Sequence, residues 1–132
     1  MNEKQINKLI SIFESNCCIK LVYLFGSRIN GKLGPLSDYD FGIFLDGLDT
    51  EQMYETKINL QYKISRLLKT DQVDIVILNL TESPELKYNI IAKSRLIYLV
   101  KPFKLLIEPR ILNEYFDFRE MLLKHNLTKV KT

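Results

Sequence analysis

All the glycines of this 132-residue chain lie in one window, at Gly26, Gly31, Gly34, Gly42 and Gly47. Glycine is favoured where the backbone turns sharply or approaches another group closely. Because the rest of the chain has no glycine, it is free to form regular helices and strands. We therefore expect a turn-based functional site between positions 26 and 47.

Apolar periodicity on either side of this window predicts four helices and four strands. Ile6, Leu9, Ile10 and Phe13 have the spacing of an amphipathic helix, which we place over 3–15. The other predicted elements are strands at 19–25, 39–45, 73–78 and 96–100, and helices at 50–69, 84–93 and 109–125, the last beginning at Pro109. This order predicts the α/β (α+β) class, with a small mixed sheet covered by helices on one face.

Composition narrows the class of protein further. The length predicts one domain over 1–132, and a net charge of +3 is too small to indicate direct binding of nucleic acid. No apolar run reaches the roughly 18 residues of a membrane span, and the N-terminus lacks a secretory pattern. The adjacent pair Cys17 and Cys18 predicts reduced thiols rather than a disulfide framework or a zinc site. We therefore expect a cytoplasmic protein that does not act at a membrane.

Gly26, Ser27 and Arg28 directly follow the predicted strand 19–25. A glycine and a serine after a buried strand give a tight turn with exposed backbone N–H groups and a hydroxyl donor. Such a turn binds phosphate oxygens, and an arginine beside it adds a charged donor. The turn is therefore a candidate phosphate site.

Three carboxylates are candidates for the same site. Asp38 and Asp40 stand two apart at the start of a predicted strand, so both belong on one face of it. Asp74 is the one acid in the apolar strand 73–78, where burial would be costly unless it faces a cation. If these strands are neighbours, the three carboxylates converge opposite the phosphate turn. Hard oxygen ligands beside phosphates suit Mg²⁺ and a metal-assisted phosphoryl-type transfer.

Gly26-Ser27, ten residues and then Asp38-x-Asp40 resemble the Gly-Ser-x10-Asp-x-Asp signature of the DNA polymerase beta-like nucleotidyltransferase superfamily. The segment around Asp74 resembles the strand that supplies the third carboxylate of that family. The resemblance covers about residues 19–100, and the length and layout are similar to those of the minimal nucleotidyltransferases (MNT), the antitoxin partners of HEPN-domain toxins.

The resemblance implies a role for each of these residues. Gly26, Ser27 and Arg28 would hold the triphosphate of ATP, and Asp38 and Asp40 would ligate Mg²⁺. Asp74 would be the third ligand or the base that takes a proton from the acceptor. AMP would pass to a tyrosine hydroxyl of a HEPN toxin, held with this chain in a hetero-oligomer. One departure is that many relatives have a second arginine where this chain has an asparagine.

Two other functions remain open at this point. The chain could be a non-catalytic antitoxin that neutralises its partner by binding alone, with a vestigial site. It could instead transfer a nucleotide to a small molecule such as an antibiotic. The length leaves little room for a separate acceptor-binding domain, which favours an acceptor carried by another protein.

Overall fold

The structure is a computed structural model that describes residues 1–25 and 39–125. The described residues form four helices and four strands in the predicted order. They are α1 (Glu3–Glu14), β1 (Ile19–Phe25), β2 (Tyr39–Leu45), α2 (Thr50–Leu68), β3 (Val73–Ile77), α3 (Pro84–Lys93), β4 (Arg95–Leu99) and α4 (Phe103–Lys124), with one 3₁₀ turn at Leu78–Leu80.

The strands form one mixed sheet in the order β3-β2-β1-β4. β1 is antiparallel to both β2 and β4, whereas β2 and β3 are parallel. The parallel pair arises because α2 carries the chain from the end of β2 back to the edge where β2 began. The predicted mixed sheet is thus confirmed, and β2 and β3 start side by side.

The prediction that helices cover one face of the sheet is wrong, because helices pack on both faces. α1 and α2 contribute Leu9, Phe13 and Ile64 to a core on one face. α3 and α4 contribute Ile90, Ile107 and Ile111 to a second core on the other. The sequence feature that indicates two covered faces is the unbroken apolar run in β1. Its residues 21–23 are all almost wholly buried in the structure. A strand covered on one face only would alternate between buried and exposed residues.

The starts of α2 and α3 follow the rules of helix capping. Asp49 accepts a hydrogen bond from the backbone N–H of Gln52 at 2.8 Å, and the Gln52 side chain accepts one from the N–H of Asp49. α3 begins at Pro84, as predicted, and the Ser83 side chain caps it by accepting a hydrogen bond from the N–H of Leu86. Helix starts with such caps can be predicted from the sequence, because the capping residue and its hydrogen-bond partner are three residues apart.

The last helix begins at Phe103, six residues before the predicted start, and Pro109 lies inside it. An internal proline costs about 3 kcal/mol. The residues Phe103, Ile107 and Ile111 share one side of α4 and pack into the second core. Burial of such side chains contributes about 1.5–3 kcal/mol each, which outweighs the cost of the internal proline.

Among the helices in the two described ranges, none is long and apolar enough to cross a membrane.

Candidate active site

Asp40 and Asp74 lie opposite one another at the end of the sheet where β2 and β3 begin. Each is the second residue of its strand, and the two are register partners in the parallel pair. Residues paired in this way point to the same face, and neighbouring strands are about 4.8 Å apart. The two strands are neighbours, which is the condition under which the sequence places Asp74 beside Asp40.

The two carboxylates differ in their access to solvent. Asp40 is 8% exposed because β2 is an inner strand, between β1 and β3. Asp74 is exposed, since β3 is the last strand of the sheet on that side. Two carboxylates on neighbouring strands can both supply oxygen ligands to one cation. The pair therefore offers one well-fixed and one accessible group.

The face that carries this pair is tightly packed further along the strands. Gly42, two residues after Asp40, pairs with Tyr23 of β1. A Cβ atom at Gly42 would lie 2.8 Å from Cγ2 of Ile90 and 3.6 Å from Cε1 of Phe25. The absence of a side chain at Gly42 therefore lets Ile90 of α3 and the Phe25 ring approach the sheet at this point. A glycine inside a strand is the sequence signal for such an approach, but it does not identify the neighbour.

We predict that Gly42→Ala lowers the free energy of unfolding by about 1–3 kcal/mol, because the added methyl group overlaps a buried side chain. Ile90 is 1% exposed and its Cγ2 is attached at Cβ, so it cannot swing aside. Urea denaturation followed by circular dichroism measures the change. In Gly42→Ala/Ile90→Ala the overlap is gone, so the double variant should lose less stability than the sum of the two single variants. Additive losses would contradict the contact.

The remaining predicted site residues fall outside the part of the chain that the structure describes. Gly26, Ser27, Arg28 and Asp38 all belong to positions 26–38. The residues that flank this segment are described: Phe25 ends β1 and is the register partner of Asp40. β1 therefore ends, and β2 begins, at the end of the sheet that carries Asp40 and Asp74. Roles for the four candidate residues of segment 26–38 stay predictions.

The carboxylate pair fits the donor chemistry of a hard cation such as Mg²⁺, which prefers oxygen ligands. Among residues 1–25 and 39–125, no group of three or more metal-binding side chains is assembled. The described part of the chain supplies two carboxylates of the predicted three, and Asp38 lies in the segment between the ranges. A magnesium ion ligated by Asp38, Asp40 and Asp74 therefore stays a prediction with which the pair agrees.

Chains with a similar fold occur in solved structures of toxin–antitoxin complexes. One similar chain comes from the complex of a tri-AMPylated Shewanella oneidensis HEPN toxin with MNT antitoxin, at 20% identity and a TM-score of 0.70, covering 97% of this chain and 100% of that one. Another comes from the toxin–antitoxin MntA-HepT, at 20% identity and a TM-score of 0.68, covering 96% and 100%. A third comes from a toxin–antitoxin with AMP-PNP, at 22% identity and a TM-score of 0.67, covering 97% and 100%. At these identities the likeness establishes the fold.

Sequence comparison establishes the family. No curated protein matches this chain. The family described as Polymerase beta, Nucleotidyltransferase matches residues 7–102, which include every candidate site residue and all four strands. The chain therefore belongs to the polymerase beta nucleotidyltransferase family.

Proposed function

We propose that this chain is a Mg²⁺-dependent adenylyltransferase that moves AMP from ATP to a tyrosine hydroxyl of a HEPN-domain toxin, and thereby acts as its antitoxin. The observation that carries the proposal is the register pairing of Asp40 with Asp74, at the end of the sheet where β1 ends and β2 and β3 begin. ATP is available in the cytoplasm, which is where we expect the reaction.

The choice of AMP and of a protein acceptor is supported by the solved structures of similar fold. One contains a HEPN toxin that carries AMP groups together with an MNT antitoxin. Another is a toxin–antitoxin complex with AMP-PNP, an analogue of ATP. Each matched chain is covered over its full length by this one, so the likeness includes the helices as well as the sheet. These neighbours favour a HEPN toxin over a small-molecule acceptor.

Each candidate residue has a role in this proposal. The backbone N–H groups at Gly26 and Ser27, with the Arg28 guanidinium, hold the phosphates of ATP. Asp38, Asp40 and Asp74 hold Mg²⁺. When bound, the ion supplies positive charge that offsets the negative charge developing on the phosphate oxygens. The burial of Asp40 fixes its carboxylate, so it orients the ligand set without a large entropic cost.

The transfer is a single displacement at the α-phosphorus of ATP. A bond forms between the tyrosine oxygen and that phosphorus, the bond to the bridging oxygen of the β-phosphate breaks, and pyrophosphate leaves. The tyrosine proton passes to a carboxylate. Asp74 is exposed at the end of the sheet, whereas Asp40 is 8% exposed, which supports Asp74 as the group that meets an incoming acceptor.

We predict that ATP labelled on its α-phosphate transfers label to a HEPN-domain toxin that binds this chain, and that ATP labelled on its γ-phosphate does not. Transfer should require Mg²⁺ and stop when a chelator is added. Gel autoradiography of the mixed proteins measures both. Absence of label on a partner that is shown by co-purification to bind would contradict the proposal. Pyrophosphate release that depends on an aminoglycoside instead of the partner would favour an antibiotic as acceptor.

A further inference from the structure

The outward side of α2 carries an exposed apolar stripe. Tyr54, Ile58 and Tyr62 are 52%, 70% and 60% exposed. They are spaced four residues apart and so lie on one side of the helix. The opposite side of α2 is already buried against the sheet through Leu60 and Ile64. The stripe is therefore extra to what folding of the chain requires.

The stripe is symmetric about its central residue. Ile58 has a tyrosine four residues before it and another four residues after it. If a second copy of α2 packs against it in the antiparallel direction, with a twofold axis beside Ile58, the two isoleucines meet. Tyr54 of each copy then lies against Tyr62 of the other. A surface that matches itself in this way is what a twofold-symmetric dimer needs.

Charge on α2 has the same antiparallel arrangement. Glu51 and Glu55 lie in the N-terminal half of the helix, and Lys63 and Arg66 lie in the C-terminal half. The remaining base, Lys57, lies near the centre of the helix and is half-buried. An antiparallel pair sets acids against bases at both ends, and it also opposes the two helix dipoles. A parallel pair would set like charges together.

Arg66, the base nearest the C-terminal end of the stripe, is held in place by Tyr62. Nη1 of Arg66 donates a hydrogen bond to the Tyr62 hydroxyl at 2.7 Å, and the guanidinium lies 5.4 Å from the centre of the Tyr62 ring. The cation therefore stays beside the stripe, where a glutamate from another copy can reach it. A pre-ordered charge loses less entropy on binding.

We propose that the chain forms a twofold-symmetric dimer through antiparallel packing of α2 against α2. The interface is small, so association is weak and depends on concentration. Because α2 leads at its C-terminal end to β3 and Asp74, the two candidate sites lie at opposite ends of the helix pair, on the order of 30 Å apart for a helix of 19 residues. Dimerisation then leaves each site open to an acceptor.

Sedimentation velocity over a concentration series tests this interface. Wild-type chain should pass from monomer to dimer as concentration rises. Ile58→Lys should raise the dissociation constant at least about tenfold, because it puts two lysines at the twofold axis. Since Ile58 is 70% exposed, the variant should fold normally, as circular dichroism verifies. Asn59→Lys adds the same charge at the next exposed position outside the stripe, and should leave the dissociation constant unchanged.

Charge exchange tests the antiparallel direction. Glu51→Lys alone and Arg66→Glu alone should each raise the dissociation constant about tenfold at low ionic strength, because each places two like-charged pairs in the dimer. A mixture of these two single variants should associate as well as wild type, since the mixed dimer contains two opposite-charged pairs. A chain that stays monomeric, a dimer insensitive to Ile58→Lys, or a mixture no better than its parts would overturn the proposal. A monomer that needs Ile58 only to bind a HEPN protein would also overturn it.

Discussion

Replacing Asp40 with asparagine is expected to lower the rate of AMP transfer by about a thousandfold, because the site loses several kcal/mol of transition-state stabilisation. Asparagine has nearly the same shape as aspartate but no negative charge, so the change removes the charge at the inner strand. Asp40 is 8% exposed and sits opposite Asp74, where no other described side chain can take over its position. Initial rates with labelled ATP and the partner measure the loss.

Asp46→Asn is the matched control for this experiment. Asp46 directly follows β2, at the end of the strand far from Asp40, and it is exposed. The substitution is chemically identical, so the control should retain the wild-type rate. Circular dichroism and thermal unfolding verify that both variants are folded. An Asp40→Asn variant that transfers AMP within a few-fold of the wild-type rate would contradict the assignment of the carboxylate pair.

The double variant Asp38→Ala/Asp40→Ala should lose its ability to protect cells from the HEPN partner, with survival falling by orders of magnitude to that of cells expressing the toxin alone. This outcome follows if neutralisation requires transfer of AMP rather than occupation of the toxin surface. Colony counts after induction of both proteins measure it. Co-purification should show that the variant still binds the toxin, because the two substitutions remove only carboxylates of the candidate site and leave the helices unchanged.

Asp46→Ala/Asp71→Ala is the corresponding control, since it removes two exposed carboxylates near the same strands. It should protect cells as wild type does. Full protection by Asp38→Ala/Asp40→Ala would mean that the chain neutralises its partner by binding alone. The two experiments are complementary, since the rate assay tests the chemistry and the colony counts test whether that chemistry is the source of protection.

The elements that sequence predicts well are those fixed by local interactions. β1 and β2 have the predicted bounds because each apolar run is closed by a glycine or an aspartate, and α2 and α3 start where their caps lie. The predicted start of α4 at Pro109 is wrong, because proline is typical of the first position of a helix but lies inside this one. Only packing of Phe103 and Ile107 into the second core, which sequence does not display, extends that helix upstream.

The site divides in the same way. Alternation along a strand assigns Asp40 to a definite face, and the lone acid in an apolar strand singles out Asp74. The parallel pairing of β2 with β3 then brings the two together. The burial of Asp40 and the contact of Gly42 with Ile90 depend on strand order and on where α3 packs. Neither is encoded within a short window of sequence. Gly26, Ser27, Arg28 and Asp38 rest on the motif and on the family, so mutagenesis is their test.

Intact-mass and peptide mass spectrometry of the HEPN partner, after incubation with this chain, ATP and Mg²⁺, tests the central claim most directly. We expect the partner to gain the mass of one or more AMP groups, each mapped to a tyrosine. The gain should be absent with Asp40→Asn and present with Asp46→Asn. A partner that remains unmodified while bound to the wild-type chain, or that carries AMP equally with Asp40→Asn, would contradict the account.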